Sequence, residues 1–178
     1  PTASIIPEVK EAPIYNDPSH PIEARVDDLI RRMSVKEKID QLVNAAGHIE
    51  RLDVPGYDYW NECLHGVARN GYATVFPQAT GMAAMWNAAL MHDIADAIST
   101  EARAKFNELG KVHTYHRKQG LTMWSPTINL FRDPRWGRGQ ESYGEDPYLT
   151  ARLGVEFIKG LQGDDASCLK VAACAKHY

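Results

Sequence analysis

The first 43 residues combine a proline-rich start with two stretches of helical periodicity. Prolines are concentrated in residues 1–21, which predicts an extended arm over residues 1–20 and a folded domain over residues 21–178. Apolar side chains recur at helical spacing from residue 22 to residue 33. Ser34 followed by Glu37 is the capping-box signature of a second helix. We expect that second helix to bury four apolar side chains, Val35, Ile39, Leu42 and Val43.

Two more helices are predicted between residues 78 and 109, after an irregular stretch that glycines interrupt. Closely spaced alanines indicate that the first of them packs tightly. The second is expected to run from about His92 to Leu109 and to end at Gly110. Its predicted core face consists of Ile94, Ala97, Ile98, Ala102 and Phe106.

The last third of the chain predicts a strand, a helix and a second strand. The strands fall within residues 121–125 and 168–177, and Asp146 and Pro147 begin a helix that ends at Leu161 and is closed by Gly163. Both strands are continuously apolar, which is typical of parallel strands buried on two faces. The sequence therefore predicts an α/β fold that binds its ligand at the carboxyl ends of the strands.

Composition excludes several classes of partner. The formal net charge is −3, with no basic cluster suited to nucleic acid, and no apolar run reaches the length of a membrane helix. The three cysteines form no zinc pattern. His113 and His116 lie in a basic stretch without a nearby carboxylate or cysteine, so a solvated loop is favoured over a metal site. We expect no metal and no cofactor.

Residues 129–147 connect the first strand to the following helix and carry three arginines, four acids and a tryptophan. Such a loop either binds hydroxyls or carboxylates, or pairs its charges internally. Strand order places it at the same edge as the end of the second strand, which favours a pocket. Neighbouring hydroxyls of a sugar suit the candidate residues well. These are Glu62, Trp124, Arg138, Lys176 and His177.

A series of motifs over residues 15–178 resembles glycoside hydrolase family 3 in order and spacing. The Glu-Cys-Leu-His-Gly variant is more similar to the β-xylosidase branch than to the β-glucosidases. The motifs are Trp60-Asn-Glu-Cys-Leu-His-Gly-Val67, Val75-Phe-Pro-Gln78, Trp124-Ser-Pro-Thr-Ile-Asn129, Arg132-Asp-Pro-Arg-Trp-Gly-Arg-Gly-Gln-Glu141, Gly144-Glu-Asp-Pro147 and Lys176-His-Tyr178.

The resemblance implies the N-terminal portion of a (β/α)8 TIM-type barrel, incomplete in this chain, because a full barrel takes about 250 residues. It also implies that the five candidate residues bind a terminal sugar in the −1 subsite. Glu62 is one methylene longer than the aspartate of the glucosidase pattern. With Trp124 it would fill the space of a hydroxymethyl group and leave room for a pentose.

Family members are retaining exo-β-glycosidases that use a carboxylate pair about 5 Å apart. Neither the nucleophile nor the acid/base matches a residue of this chain, so both are expected beyond residue 178. We therefore expect the whole protein to be a β-xylosidase acting on xylo-oligosaccharides, in a secreted or periplasmic location. The expected partners of this chain are the carbohydrate substrate and the rest of the barrel and the C-terminal domains of the same protein. The isolated chain is expected to be inactive.

Three alternatives remain open from the sequence. The first is a β-glucosidase of the same family, and the second is a non-catalytic sugar-binding or assembly fragment. The third is a Schiff-base enzyme that uses Lys176, which lies at the carboxyl end of an apolar strand. For the loop itself, we expect Arg132 and Arg135 to act as braces, each paired with Asp133, Glu141 or Glu145.

Overall fold

Two compact units, Pro1–Tyr57 and Asp58–Tyr178, make up the chain. The computed structural model describes residues 6–110 and 119–177. His113 and His116, with the basic stretch around them, lie outside the described residues. The predicted boundary between an arm (1–20) and a domain (21–178) does not coincide with the division between the units, and it stays a prediction.

The first unit contains helices α1 (Ile22–Arg32) and α2 (Val35–Asp40), strand β1 (Ala45–Ala46) and a 3-10 turn (Glu50–Leu52). Strand β2 (Tyr57–Asp58) lies at the boundary between the units. The predicted capping box is confirmed, because the Ser34 side chain accepts from the backbone N–H of Glu37 and the Glu37 carboxylate accepts from the N–H of Ser34. Local hydrogen bonding alone thus accounts for the start of α2.

The interior of the first unit is partly polar. Asp28 is buried on α1, where its carboxylate accepts from the backbone N–H of Ile14 at 2.9 Å and from Arg32 Nη2 at 2.9 Å. A small apolar cluster includes Met33 and Leu52. Helix α1 therefore contributes to the interior both the polar Asp28 and the apolar Leu29, which packs against that cluster. Its apolar residues Ile22, Val26 and Ile30 are exposed.

The second helix ends at Asp40, before Leu42 and Val43, and the predicted burial of its four apolar side chains is wrong. Val35, Ile39, Leu42 and Val43 expose 70%, 58%, 84% and 55% of their surface. Helical periodicity identifies side chains that share a face, but it does not say whether another element covers that face.

In the second unit, α3 (Ala79–Ala83), α4 (Ala88–Gly110) and α5 (Pro147–Gln162) are the helices. Helix α4 begins earlier than the predicted His92, and Ala97 is exposed rather than part of the core face. The buried face of α4 differs from the predicted one because α4 packs on α5. At this contact Ser99 Oγ donates to the carbonyl of Gly160 at 3.0 Å. The buried residues of α4 are Met91, Ala95, Ile98, Ser99 and Ala102.

Helix α5 begins where the sequence predicts, and the predicted Gly163 closes it. The Asp146 side chain accepts from the backbone N–H of Leu149 at 2.7 Å, and Pro147 occupies the first helical position. Gly163 closes the helix with a φ of 71°, a left-handed conformation that favours glycine. The helix ends at Gln162, one residue later than predicted.

Strands β3 (Thr122–Met123) and β4 (Ala172–Ala173) pair in parallel, and α5 is the helix between them. Two isolated parallel bridges extend this pairing. One joins Asn61 to Met123 of β3, and the other joins Thr127 to Lys176, beyond the ends of β3 and β4. The strands are shorter than predicted. Their parallel direction and crossover helix nevertheless match the predicted α/β organisation.

Candidate functional site

The parallel ladder brings three predicted site residues to one end of the strands. The backbone N–H of Trp124 donates to the carbonyl of Asn61 at 2.9 Å, and the N–H of Ile128 donates to the carbonyl of Lys176 at 2.7 Å. Glu62 follows Asn61 directly, so Glu62, Trp124 and Lys176 leave neighbouring segments at the same edge. Carboxyl ends of parallel strands are the usual ligand-binding edge.

Asn61 holds these segments in register. It is 1% exposed, and its Nδ2 donates to the carbonyls of Asp58 and Thr122 at 3.0 Å each. Its Oδ1 accepts from the backbone N–H of Gly120 at 2.7 Å. One buried amide thus forms hydrogen bonds with three backbone groups of different segments.

A cleft of about 390 Å³ lies at this edge. It brings together three of the five predicted residues, Glu62, Arg138 and Lys176. Trp124 stands behind the cleft wall, since its ring stacks on Trp60 with a centroid separation of 5.4 Å and an interplanar angle of 17°. His177 is exposed next to Lys176. The other lining residues are Trp60, Leu64, His65, Gly66, Ala68, Arg69 and Glu141.

Arg138 forms a bidentate ion pair with Glu141. Its Nε and Nη2 donate to the two carboxylate oxygens at 2.7 and 2.6 Å. These hydrogen bonds hold the pKa of Glu141 below its ordinary value, and the charges of Arg138 and Lys176 act in the same direction. Of the three alternative partners predicted for Arg132 and Arg135, Glu141 instead pairs with Arg138. Glu141 is the partner of the arginine in the cleft.

Arg135 is braced by Asp133, as predicted. The Arg135 Nε and Nη2 atoms donate to the Asp133 carboxylate at 3.0 and 2.6 Å. The hydrogen bonds from Arg135 hold the pKa of Asp133 below its ordinary value. This pair sits on the surface, where it shapes the loop without entering the cleft.

A close approach at Gly139 positions the turn that carries Arg138 and Glu141. The 3-10 turn Gly139–Glu141 packs against Phe131, and a Cβ at Gly139 would lie 2.3 Å from Phe131 Cε2. Any side chain there would push the ring or the turn away. The Arg138–Glu141 pair therefore depends on a glycine between its members.

Two neighbours hold the Glu62 carboxylate. Trp60 Nε1 donates to Oε1 at 2.9 Å, and Arg69 Nε lies 3.3 Å from Oε2. Arg69 adopts a left-handed backbone conformation with a φ of 59°. The sequence did not identify Trp60, His65 or Arg69 as site residues. Trp60 lies only two residues before Glu62 in the motif of residues 60–67, whereas no local sequence pattern indicates Arg69.

The cleft is rich in cationic donors. Burial lowers the pKa of Lys176, and the carboxylates of Glu141 and Glu62 oppose that shift. Desolvation and the charges of Arg138 and Lys176 lower the pKa of His177 from its ordinary 6.5, which favours the neutral imidazole at pH 7. The Lys176–His177 peptide bond is cis.

This geometry suits a neutral polyhydroxylated ligand. Arg69, Arg138 and Lys176 supply donors, Glu62 and Glu141 supply acceptors, and Trp60 supplies an aromatic wall. Within residues 6–110 and 119–177, no group of three His, Cys, Asp or Glu side chains is arranged to hold a metal ion. The expected lack of a metal or cofactor stays a prediction.

Several known proteins are similar to this chain. It is 47% identical over 170 residues to a β-xylosidase/α-L-arabinofuranosidase 2 of Medicago sativa subsp. varia, an alignment that covers 88% of this chain and 21% of the relative. It is 43% identical to a xylan 1,4-β-xylosidase of Xylanibacter ruminicola, covering 92% and 19%. The chain thus spans about a fifth of the length of these relatives.

Solved structures give the same result. A family 3 exo-β-xylosidase in complex with a xylobiose aziridine probe matches with a TM-score of 0.81 and 36% identity, over 98% of this chain and 23% of that one. A β-glucosidase of Erythrobacter marinus matches with a TM-score of 0.58 and 32% identity, over 80% and 17%. The predicted fold class, the N-terminal portion of a (β/α)8-type barrel, is confirmed.

The family model described as the glycosyl hydrolase family 3 N-terminal domain matches residues 31–178. With the parallel α/β arrangement and the polar cleft at its strand ends, this match confirms the family that the motifs resemble. The chain belongs to glycosyl hydrolase family 3.

Proposed function

We propose that this chain supplies the sugar-binding residues of an exo-β-glycosidase that releases terminal β-D-xylosyl residues from xylo-oligosaccharides. One observation carries the proposal: Glu62, Arg138 and Lys176, which are distant in sequence, line a single cleft at the carboxyl ends of parallel strands. The names of the relatives as β-xylosidases support the choice of sugar.

Within this proposal the charged side chains bind hydroxyls of the sugar in the −1 subsite. A guanidinium carries five N–H donors, of which Glu141 takes two from Arg138, so Arg138 can also donate to a hydroxyl. Lys176 adds an ammonium donor and Glu62 a carboxylate acceptor. Trp60, supported by Trp124, covers the C–H side of the ring.

We assign neither carboxylate of the cleft to bond cleavage. A general acid of a glycosidase needs a raised pKa, whereas Arg138 lowers the pKa of Glu141. The Glu62 carboxylate accepts from Trp60 and contacts Arg69, which suits binding rather than attack on the anomeric carbon. The proposed retaining mechanism therefore takes its nucleophile and its acid/base from other parts of the whole protein.

Selectivity for a pentose is proposed to come from the length of Glu62. Replacing Glu62 with Asp withdraws the carboxylate by one methylene and weakens its contact with Trp60 Nε1. The freed space would admit a hydroxymethyl group. In the whole protein we expect Glu62→Asp to raise the ratio of glucoside to xyloside kcat/KM by about tenfold, the effect of one methylene in a pocket.

Glu62→Gln is the matched control, because it keeps the length and removes the charge. This variant is expected to lower kcat/KM for both substrates and to leave their ratio unchanged. A ratio that stays constant in Glu62→Asp, or that rises equally in Glu62→Gln, would contradict the steric explanation.

A β-glucosidase is the second candidate, because solved β-glucosidases also match the fold. The same Glu62 experiment separates the two, since a β-glucosidase would prefer the glucoside before any substitution. Two observations disfavour the Schiff-base alternative for Lys176. The chain belongs to a glycosidase family, and Schiff-base chemistry would leave the Arg138–Glu141 pair without a role.

We also propose that the remainder of the barrel is a partner of this chain. An apolar cleft of about 350 Å³ runs along α5. Next to it, the buried hydroxyls of Thr127 and Thr150 have no hydrogen-bond partner among the described residues. Further barrel elements would cover both features. The cleft is lined by Ile128, Leu130, Pro147, Thr150, Ala151, Gly154, Val155, Ile158 and Ala175.

No helix within the described ranges 6–110 and 119–177 combines the length and apolar character required to cross a membrane. The secreted or periplasmic location remains part of the proposal, since it follows from the resemblance rather than from any feature of the fold.

A further inference from the structure

The side chain of Asn129 contacts His177 at three points, although 48 residues separate them in sequence. Asn129 Oδ1 accepts from the backbone N–H of His177 at 2.7 Å, and the same oxygen lies 3.1 Å from Nδ1 of the imidazole. Asn129 Nδ2 donates to the carbonyl of His177 at 3.4 Å. The Asn129 amide therefore contacts both the backbone and the imidazole ring of His177.

The two backbone contacts determine which end of the amide faces which group. A backbone N–H can only donate and a backbone carbonyl can only accept, so Oδ1 must face the former and Nδ2 the latter. An amide oxygen is an acceptor, and the ring nitrogen 3.1 Å from it must carry the proton. Because a neutral imidazole has one ring proton, Nε2 then holds a lone pair.

We propose that Asn129 is a positioning residue that holds His177 in the Nδ1–H tautomer, so that Nε2 acts as a hydrogen-bond acceptor next to the donor Lys176. This inference deepens the proposed sugar-binding function and rests on it for its consequence. One hydroxyl of a vicinal pair would donate to Nε2, and its neighbour would accept from Lys176.

The charges around the ring favour this state. Arg138 and Lys176 disfavour a second proton on the imidazole, and Glu141 acts in the opposite direction. A neutral acceptor is also useful here. Arg138 occupies the Glu141 carboxylate and Arg69 contacts that of Glu62, so two of the acceptors in the cleft are already engaged.

The tautomer can be measured without any sugar. The full chain would be labelled with 15N-histidine, and long-range proton–nitrogen spectra would be recorded at neutral pH. Comparison with a His177→Gln chain identifies the signals of His177. We expect Nδ1 in the protonated range and Nε2 in the unprotonated range. Solvent favours the opposite tautomer, so a predominant Nε2–H form would overturn the proposal.

Two substitutions of Asn129 test its role. Asn129→Asp keeps an oxygen acceptor and should retain the Nδ1–H tautomer. Asn129→Ala removes the acceptor, and the Nδ1–H form should fall from the majority to a minority of the population. A majority of Nδ1–H in Asn129→Ala would show that Asn129 is not the determinant. If Asn129→Ala does not fold, a predominant Nε2–H form in Asn129→Asp would equally refute the proposal.

Addition of D-xylose separates this inference from the proposed function. If xylose binds at the cleft, the Nε2 signal of His177 should shift while Nδ1 stays protonated. An Nδ1–H tautomer with no response to xylose would support the positioning role and count against sugar binding by this chain. A predominant Nε2–H tautomer together with a shift of the His177 signals on addition of xylose would refute the positioning role and support sugar binding by this chain.

Discussion

Polar side chains in and beside the cleft are held by specific partners in the structure without a ligand. Glu141 fixes the plane of the Arg138 guanidinium, Trp60 holds the Glu62 carboxylate, and Asn129 holds His177. Ordering long side chains in advance reduces the conformational entropy that binding would otherwise cost.

The Glu37 carboxylate makes the stability of the first unit depend on pH. Hydrogen bonds from Arg51 and Ser34 lower the pKa of Glu37 to about 2, below its ordinary 4.5. The unfolded chain therefore binds the proton more readily. The stabilisation is complete above pH 4.5 and is lost as pH falls towards 2. We expect a loss on the order of 1 to 2 kcal/mol between pH 6 and pH 3, measured by urea unfolding.

Two substitutions check the origin of that slope. Glu37→Gln keeps the capping box but cannot ionise, so the difference between pH 6 and pH 3 should shrink. Asp40→Asn removes only the pair with Lys36, whose side chains are 72% and 48% exposed, and should leave the slope almost unchanged. Equal effects of the two substitutions would refute the assignment to Glu37.

Cys63 should be chemically inert in the folded chain. It is fully buried, and burial raises the pKa of its thiol to about 12. Cys168 and Cys174 are exposed. With iodoacetamide at pH 8, mass spectrometry should show modification of these two at least about 100-fold faster than of Cys63, because the thiolate is the reactive species. Comparable rates before denaturation would contradict the buried position.

At the scale of elements, the contact between α4 and α5 organises the second unit. Gly160 allows the close approach, since a Cβ there would lie 2.4 Å from the carbonyl oxygen of His92. Lys170 and Arg103 add contacts beside this interface: Lys170 Nζ pairs with Asp96, and Arg103 Nε donates to the carbonyl of Lys170 at 2.8 Å. The beginning of β4 is thus tied to α4.

Two glycines of α5 provide a matched test of this packing. Gly160→Ala should destabilise the chain by about 1 to 3 kcal/mol, because the added methyl meets rigid backbone. Gly154→Ala would place its methyl 3.5 Å from Ile128 Cγ2, an ordinary contact, and should be neutral or stabilising by up to about 1 kcal/mol. Thermal unfolding of both variants measures the difference. A smaller loss for Gly160→Ala than for Gly154→Ala would contradict the packing.

At the scale of the whole molecule, the chain corresponds to one part of a longer family pattern. It covers about a fifth of its curated relatives, and the two carboxylates of its cleft are held in polar contacts. We expect the isolated chain to show no turnover of an aryl β-xyloside above buffer. Turnover that disappears in Glu62→Gln or Glu141→Gln would show that the cleft itself is catalytic.

Binding and turnover distinguish the remaining roles of the isolated chain. Calorimetric binding of D-xylose without turnover would support the non-catalytic sugar-binding alternative for this chain. No binding would indicate that the subsite requires further parts of the barrel.

Much of the fold was predictable from local signals. Ser34 with Glu37, Asp146 with Pro147, and Gly163 mark helix ends because caps depend on hydrogen bonds within a few residues. Ala97 and Leu42 were assigned to the core in error, because burial depends on which element covers a face. Arg69 and Asn129 were missed for a related reason: each acts on a partner that no sequence pattern connects to it.

The sequence by itself determined the helix caps at Ser34, Asp146 and Gly163, the parallel strand direction, the family and the edge at which Glu62, Arg138 and Lys176 gather. These follow from short-range hydrogen bonding, apolar patterning and motifs with fixed spacing. The tertiary structure decided which charges pair, which helical faces are covered, and how Asn129 meets His177. Those outcomes depend on distances between residues far apart in the chain, and only packing sets such distances.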